Sequence, residues 1–305
     1  THGMCRYMVS PRKRPPIVMS KVTAIVTTHN RCDLLPRALE SVFKQTRPAD
    51  EIIVVDDGSS DNTGSWLSQQ RGIDKIIRQP QQGISTARNA AIKAASGEWL
   101  AFLDDDDAWL PDKLARQAEA LQASTQYRLC HGDEIWVRNG KRVNAMHKHR
   151  KFGGWIYPYC LPLCVISPSA VMIHRHVFED IGMFDPDLPA CEDYDLWLRI
   201  CAKEPVLFIE QALITKYGGH EDQLSRKFWG MDRFRIQALE KMLLQNDLAP
   251  HYRKLTLETL IEKTAIYAKG ARKRDKHEEA DQYRQRIDEY RALLDELDLD
   301  AVTAC

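Results

Sequence analysis

Three short apolar runs, each cut off abruptly by polar residues, constrain this chain more than any other feature. Residues 22–27 (VTAIVT) lead into Thr28, His29, Asn30 and Arg31. Residues 51–55 (EIIVV) stop at Asp56 and Asp57, and residues 98–103 (EWLAFL) stop at four consecutive aspartates, Asp104 to Asp107. Runs of this length and β-branched character predict strands buried on both faces, as in a parallel sheet. Between them the pattern is helical: Leu34, Leu35, Ala38, Leu39 and Val42 recur at helical spacing, and an Ala-rich helix over 85–95 is stopped by Gly97. A short further strand is expected at 73–77. Alternating strands and helices imply β-α-β units with right-handed crossovers, and such sheets bind ligands at the carboxyl ends of their strands. Thr27, Thr28, Asp56, Asp57 and the four aspartates therefore fall on one edge.

The remaining chain reads as less regular. A helix is expected over 114–121 after Pro111, a hairpin over 135–143 around Asn139-Gly140, a strand over 170–173 and helices over 177–181 and 192–202. Beyond residue 228 only helices are expected, over 228–244 and 252–268, followed by Tyr283, Ile287, Tyr290, Leu294 and Leu297 at 4-3-4-3 spacing. That stripe suits a helical hairpin or a homodimer contact through the C-terminal helices. The expected division is a flexible leader at 1–20, an α/β domain at 21–227 and a helical C-terminal extension at 228–305.

Composition narrows the function. The 305 residues carry 43 Lys+Arg against 43 Asp+Glu, which argues against nucleic acid as a partner, since that needs a net basic footprint. No apolar stretch is long enough to span a membrane, and the basic N-terminal segment has no signal-peptide core. The expected location is cytoplasmic, with peripheral contact at the inner face of the membrane. Eight scattered cysteines without a C-x-x-C pair read as reduced thiols.

Four successive aspartates at a strand end repel one another unless a cation or hydrogen-bond donors are supplied. Hard carboxylate oxygens suit Mg²⁺ or Mn²⁺, with the coordination completed by water and substrate phosphates. A solvated acidic turn is the alternative.

Four motifs, TAIVTTHNR (23–31), IVVDDGSSD (53–61), GISTARNAA (83–91) and LDDDD (103–107), occur in that order at strand and helix ends. Together they resemble family 2 glycosyltransferases with the GT-A fold, a Rossmann-like, mostly parallel sheet flanked by helices. The resemblance covers about residues 21 to 225 and implies an inverting enzyme with a nucleotide-sugar donor, a UDP-sugar in the first instance. It places Thr27 and Asp57 at the base, Arg88 and Asn89 at the nucleotide and diphosphate, and Asp104, Asp105 and Asp106 in the D-x-D region. Asp105 then falls at the ribose and Asp106 at the metal, although the adjacent Asp107 leaves a shift by one open.

Breaking the bond from sugar to diphosphate builds negative charge on phosphate oxygens, where a cation stabilises the transition state. The acceptor hydroxyl must lose a proton on the opposite face. CEDYDLWLR (191–199) resembles the family's E-D motif: Asp193 matches the base, Glu192 is a candidate acceptor contact, and Asp195 a backbone partner. The competing reading is that these carboxylates simply favour a helix N-terminus. His220, in KYGGHEDQLS (216–225), resembles a histidine near the metal and diphosphate, with Gly218 and Gly219 giving lid flexibility.

Acceptor recognition is expected between the D-x-D and E-D regions. Lys141, Arg142, Lys148, Arg150 and Lys151 precede an aromatic stretch at 152–159 that includes Trp155, a platform for a sugar ring or for a glycan or lipid-linked acceptor. The acceptor class implied is envelope glycan or polysaccharide. The competing readings are a non-catalytic nucleotide-sugar or glycan-binding module and a nucleotidyltransferase. The second lacks its Gly-rich phosphate loop, since residues 28–31 contain no glycine.

Overall fold

The computed structural model describes residues 21–144, 149–219 and 228–303, with side chains to residue 299. The expected leader, His147, Lys148 and His220 lie outside the described residues.

A mixed nine-stranded sheet organises the chain. Its first half is the expected parallel core: β1 (Val22–Thr28) pairs with β2 (Glu51–Asp57) and β4 (Trp99–Asp104), and β2 pairs with β3 (Lys75–Gln79), all in parallel. The crossovers are α1 (Leu35–Phe43), α2 (Thr63–Leu67) and α3 (Ile84–Ala94). Every residue of β1 and β2 is buried, and alternate side chains enter two separate cores. Ile25, Ile53, Val55, Leu100 and Phe102 face α3 and the later helices, whereas Ala24, Val26, Val54, Ala101 and Leu103 face α1. This is the strand period of two written into apolar residues, of which the Val, Ile, Leu and Phe side chains are each worth about 1.5–3 kcal/mol when fully buried. Gly97 is required by close approach: a Cβ there would lie 2.6 Å from Thr23 Oγ1 and 2.8 Å from the Thr23 nitrogen.

Past β4 the sheet is mixed. After β5 (Ala108–Trp109) and α4 (Lys113–Ala123) come β6 (Leu129–Arg138) and β7 (Lys141–Val143). The predicted Asn-Gly turn joins these two strands, with Asn139 and Gly140 at φ 50° and 73°. Then follow α5 (Tyr157–Cys160), β8 (Met172–His174), α6 (His176–Ile181), α7 (Glu192–Cys201) and β9 (Leu207–Gly218). The strand order is β3-β2-β1-β4-β8-β6-β9-β5, with β7 beside β6. Two expectations change. The strand expected over 170–173 starts at Met172, because Pro168–Ala170 closes a 3-10 turn. The long strand β9 was not expected at all: register shifts beside Gly132 and Asp133 of β6 break its alternation, so no period of two is legible.

Three helices follow: α8 (Asp232–Leu243), α9 (Pro250–Arg272) and α10 (His277–Thr303). Phe234, Ile236, Leu239, Leu257 and Leu260 share one apolar core with Trp197 and Leu198 of α7. Buried Tyr157 and Thr256 join α5 to α9 at 2.7 Å, and Lys263 donates to the Pro162 carbonyl at 2.7 Å. The 4-3-4-3 stripe packs inside the chain: Ile287 and Tyr290 are buried and Tyr283, Leu294 and Leu297 lie against the same core. Among the described residues the six cysteines are free, and no helix is long and apolar enough to cross a membrane.

Candidate active site

A pocket of about 710 Å³ opens at the carboxyl edge of β1, β2 and β4, a volume suited to a small-molecule ligand. Thr27 and Thr28, Asp57, and Asp104 and Asp105 line it from the three strand ends. The local geometry explains the sequence there. His29 Nδ1–H donates to the Asp57 carbonyl at 2.8 Å, while Asn30, at φ 52°, accepts the Ser60 N–H at 2.7 Å. These bonds tie the loop after β1 to the loop after β2. The Asp57 carboxylate accepts from Gln79 Nε2 (2.7 Å) and from the Gln82 and Gly83 N–H groups (2.9 and 2.8 Å). It thereby shapes the turn that opens α3 and forms a pocket rim.

The aspartate run divides by environment. Asp104 accepts Arg88 Nη2 at 2.6 Å. Asp105 faces the pocket and is pushed up to about 7 by burial and by the adjacent Asp106 charge, against the pull of Thr28 and Arg31. Asp106 has its carbonyl held by Arg37 at 2.6 Å and its carboxylate 3.8 Å from Arg31. Asp107 turns inward, accepting from Ser169 Oγ (2.7 Å) and the Tyr217 N–H (3.2 Å). It is a buried structural acceptor; of the four aspartates, Asp104 and Asp105 line the pocket, and Asp106, expected at the metal, does not. Among the described residues no three His, Cys, Asp or Glu side chains converge as a ready-made metal site. A Mg²⁺ or Mn²⁺ ion completed by diphosphate and water needs no such convergence, and this donor set of hard oxygens at a pocket edge fits it.

Two expected nucleotide contacts face elsewhere. Arg88 is 2% exposed and bridges Asp104 to Glu192, with Nη1 2.8 Å from the Glu192 carboxylate. Asn89 holds the Phe184 backbone from both sides, donating at 2.7 Å and accepting at 3.0 Å. Neither lines the pocket. Glu192, expected toward an acceptor, is 4% exposed; burial and then the Asp193 charge push it up to about 7, against Arg88. Asp193 is half-buried on the first turn of α7, accepting a thiol hydrogen from Cys164 at 3.3 Å. Cys191 just before it sits at φ 63°, a left-handed conformation unusual for a residue with a Cβ and one found at functional turns. The expected backbone partner Asp195 pairs instead with Arg199 and Lys241.

The expected acceptor stretch is split. Trp155 is 47% exposed and outside the pocket lining, while Phe152 stacks on Tyr159 at 4.0 Å and has the Arg150 guanidinium 5.6 Å from its ring centre. Lys151 is buried against Glu134 at 2.8 Å, so it is a structural ion pair and not part of a solvent-facing basic patch. The sequence reading missed Arg31, Ser85, Pro186, Leu188, Pro189 and Phe228, all pocket-lining. Arg31 had a legible signal as a cation in the turn after β1. The prolines and Phe228 had none, because long chain separations bring them there.

The model of the "Glycosyl transferase family 2" matches residues 23–182. An uncharacterised glycosyltransferase of Nostoc sp. is 41% identical over 175 residues, covering 54% of this chain, and this chain spans only about half of that relative (54%). The Escherichia coli UDP-Glc:alpha-D-GlcNAc-diphosphoundecaprenol beta-1,3-glucosyltransferase WfgD is 29% identical over 207 residues, 67% of this chain and 79% of WfgD. Among solved structures, S. aureus TarS in complex with UDP-GlcNAc superposes with a TM-score of 0.66 at 18% identity, over 82% of this chain and 81% of TarS, a likeness of fold.

Proposed function

The chain belongs to glycosyltransferase family 2, and from that premise we propose that it moves a sugar from a UDP-sugar to an acceptor hydroxyl, with inversion, in envelope glycan or polysaccharide assembly. The observation that carries the reading is the convergence of Thr27, Asp57, Asp104 and Asp105 on one pocket whose floor is joined through Arg88 to the helix bearing Asp193. WfgD, which uses UDP-Glc by its name, supports the donor class and a lipid-linked acceptor.

In this reading Thr27 and Asp57 meet the base, since a uracil N–H needs an acceptor and Asp57 retains lone pairs beyond the three bonds it accepts. Asp105 meets the ribose. Asp106, with His220, would hold a Mg²⁺ or Mn²⁺ ion, which would neutralise charge developing on the leaving diphosphate. Arg31, lining the same pocket, adds a fixed guanidinium suited to phosphate. Asp193 takes the proton from the acceptor hydroxyl as the oxygen attacks the anomeric carbon; one displacement turns an α-linked donor into a β-linked product. Trp155, exposed on the same chain segment as Arg150, offers a platform for the acceptor.

Hydrolysis or transfer from UDP-glucose and UDP-GlcNAc in the presence of Mn²⁺ tests the assignment. Asp193→Asn and Asp106→Ala should each lower kcat by at least about 100-fold, within the range of acid–base and electrostatic contributions. Undiminished turnover in both variants would remove these roles.

A further inference from the structure

The segment between α6 and α7 supplies one pocket wall through Pro186, Leu188 and Pro189, yet it has no helix or strand of its own. Side chains from three helices hold it instead. Arg199 of α7 donates to the Ile181 and Met183 carbonyls at 3.0 and 2.7 Å. Asn89 of α3 clamps Phe184. Lys241 of α8 reaches the Asp185 carboxylate, which also accepts the Asp187 N–H at 2.9 Å and so fixes the turn that presents Pro186.

Lys241 does more than hold the loop. Its ammonium also lies 2.6 Å from Asp195, a carboxylate 1% exposed on the helix whose first turn carries Glu192 and Asp193. One cation thus joins a carboxylate of the wall to a buried carboxylate of that helix. Arg199 also pairs with Asp195, at 2.8 Å, but among the described residues only Lys241 bonds both carboxylates, so without it the wall loses its ionic tie to α7 and Asp185 is left beside a like charge. Phe228, which lines the pocket opposite the strand ends, packs on Phe234 of the same α8 at 5.3 Å.

We propose that Lys241 is a positioning residue that locks the 184–189 pocket wall to the helix bearing Asp193, making α8 a working part of the site. The inference rests on the donor-pocket reading above, and its test separates the two. Hydrogen exchange at the Phe184, Asp185, Asp187 and Leu188 amides reads the lock directly, and KM and kcat for UDP-glucose hydrolysis read its consequence. Asp185→Asn, which leaves Asp195 paired with both cations, and Lys241→Gln should speed exchange at those amides at least about 10-fold. Both should raise donor KM at least about 5-fold with a smaller change in kcat, and Lys241→Arg should restore most of each loss. Unchanged wall exchange in Asp185→Asn overturns the proposal, as does a lowered Tm in Lys241→Gln with exchange and KM both unmoved. If the unsubstituted protein fails to bind any nucleotide-sugar, the function reading falls alone, and the exchange measurements still decide the lock.

Discussion

Arg88 concentrates two ion pairs in one buried side chain. Its guanidinium is 2% exposed and satisfies two carboxylates from distant parts of the chain, Asp104 at the end of β4 and Glu192 at the start of α7. Removing one partner of such a buried cluster leaves charges that cannot reach water, which costs about 3–5 kcal/mol. Arg88→Met should therefore lower unfolding free energy in urea by that amount, and adding Glu192→Gln should recover part of it. Losses that add strictly across Arg88→Met, Glu192→Gln and the double variant would show that the two side chains are not coupled. The same residue illustrates a limit of motif reading. An arginine in a motif that resembles a diphosphate contact is expected to touch phosphate, but its direction depends on where Glu192 folds back, 104 positions away.

At the scale of elements, what was legible was whatever strands and helices write locally. β1, β2 and β4 fell within a residue or two of expectation because both faces are apolar, and the Asn139-Gly140 turn followed from its dihedral demands. β9 was not legible, because bulges opposite Gly132 and Asp133 destroy its alternation. Likewise the polar strand ends announced the site, whereas the wall at 184–189 and Phe228 are set by tertiary packing alone. β6 makes a further prediction. His131 in β6 is fully buried, donates Nε2–H to the Phe152 carbonyl at 2.9 Å and leaves Nδ1 without a partner. Burial, then the Lys151 charge, lower it to about 4, so the folded chain keeps it neutral while the unfolded chain protonates it near 6.5. Its stabilising contribution is full above pH 6.5 and is lost as pH falls toward 4, by on the order of 2–3 kcal/mol at pH 4.5. Urea titrations at pH 7 and 4.5 should show a smaller acid loss in His131→Gln than in the unsubstituted protein; identical losses would contradict the assignment.

At the scale of the whole molecule, the equal totals of acidic and basic residues conceal a segregation. Carboxylates gather at the strand ends and at the start of α7, and cations from other parts of the chain meet them there, among them Arg31 at Asp106, Arg78 at Asp56, Arg88 at the bridge, and Arg199 and Lys241 at Asp195. The helices beyond residue 228 share the core of the α/β portion; Phe228, just before α8, lines the pocket, and Lys241 of α8 holds its wall. Calorimetric titration with UDP, GDP and dTDP, each with and without Mn²⁺, tests the central claim of a nucleotide-sugar site most directly. A UDP-sugar site should show saturable binding of UDP that Mn²⁺ strengthens and that exceeds binding of the other two, whereas no binding of any of the three nucleotides in the presence of Mn²⁺ would rule such a site out.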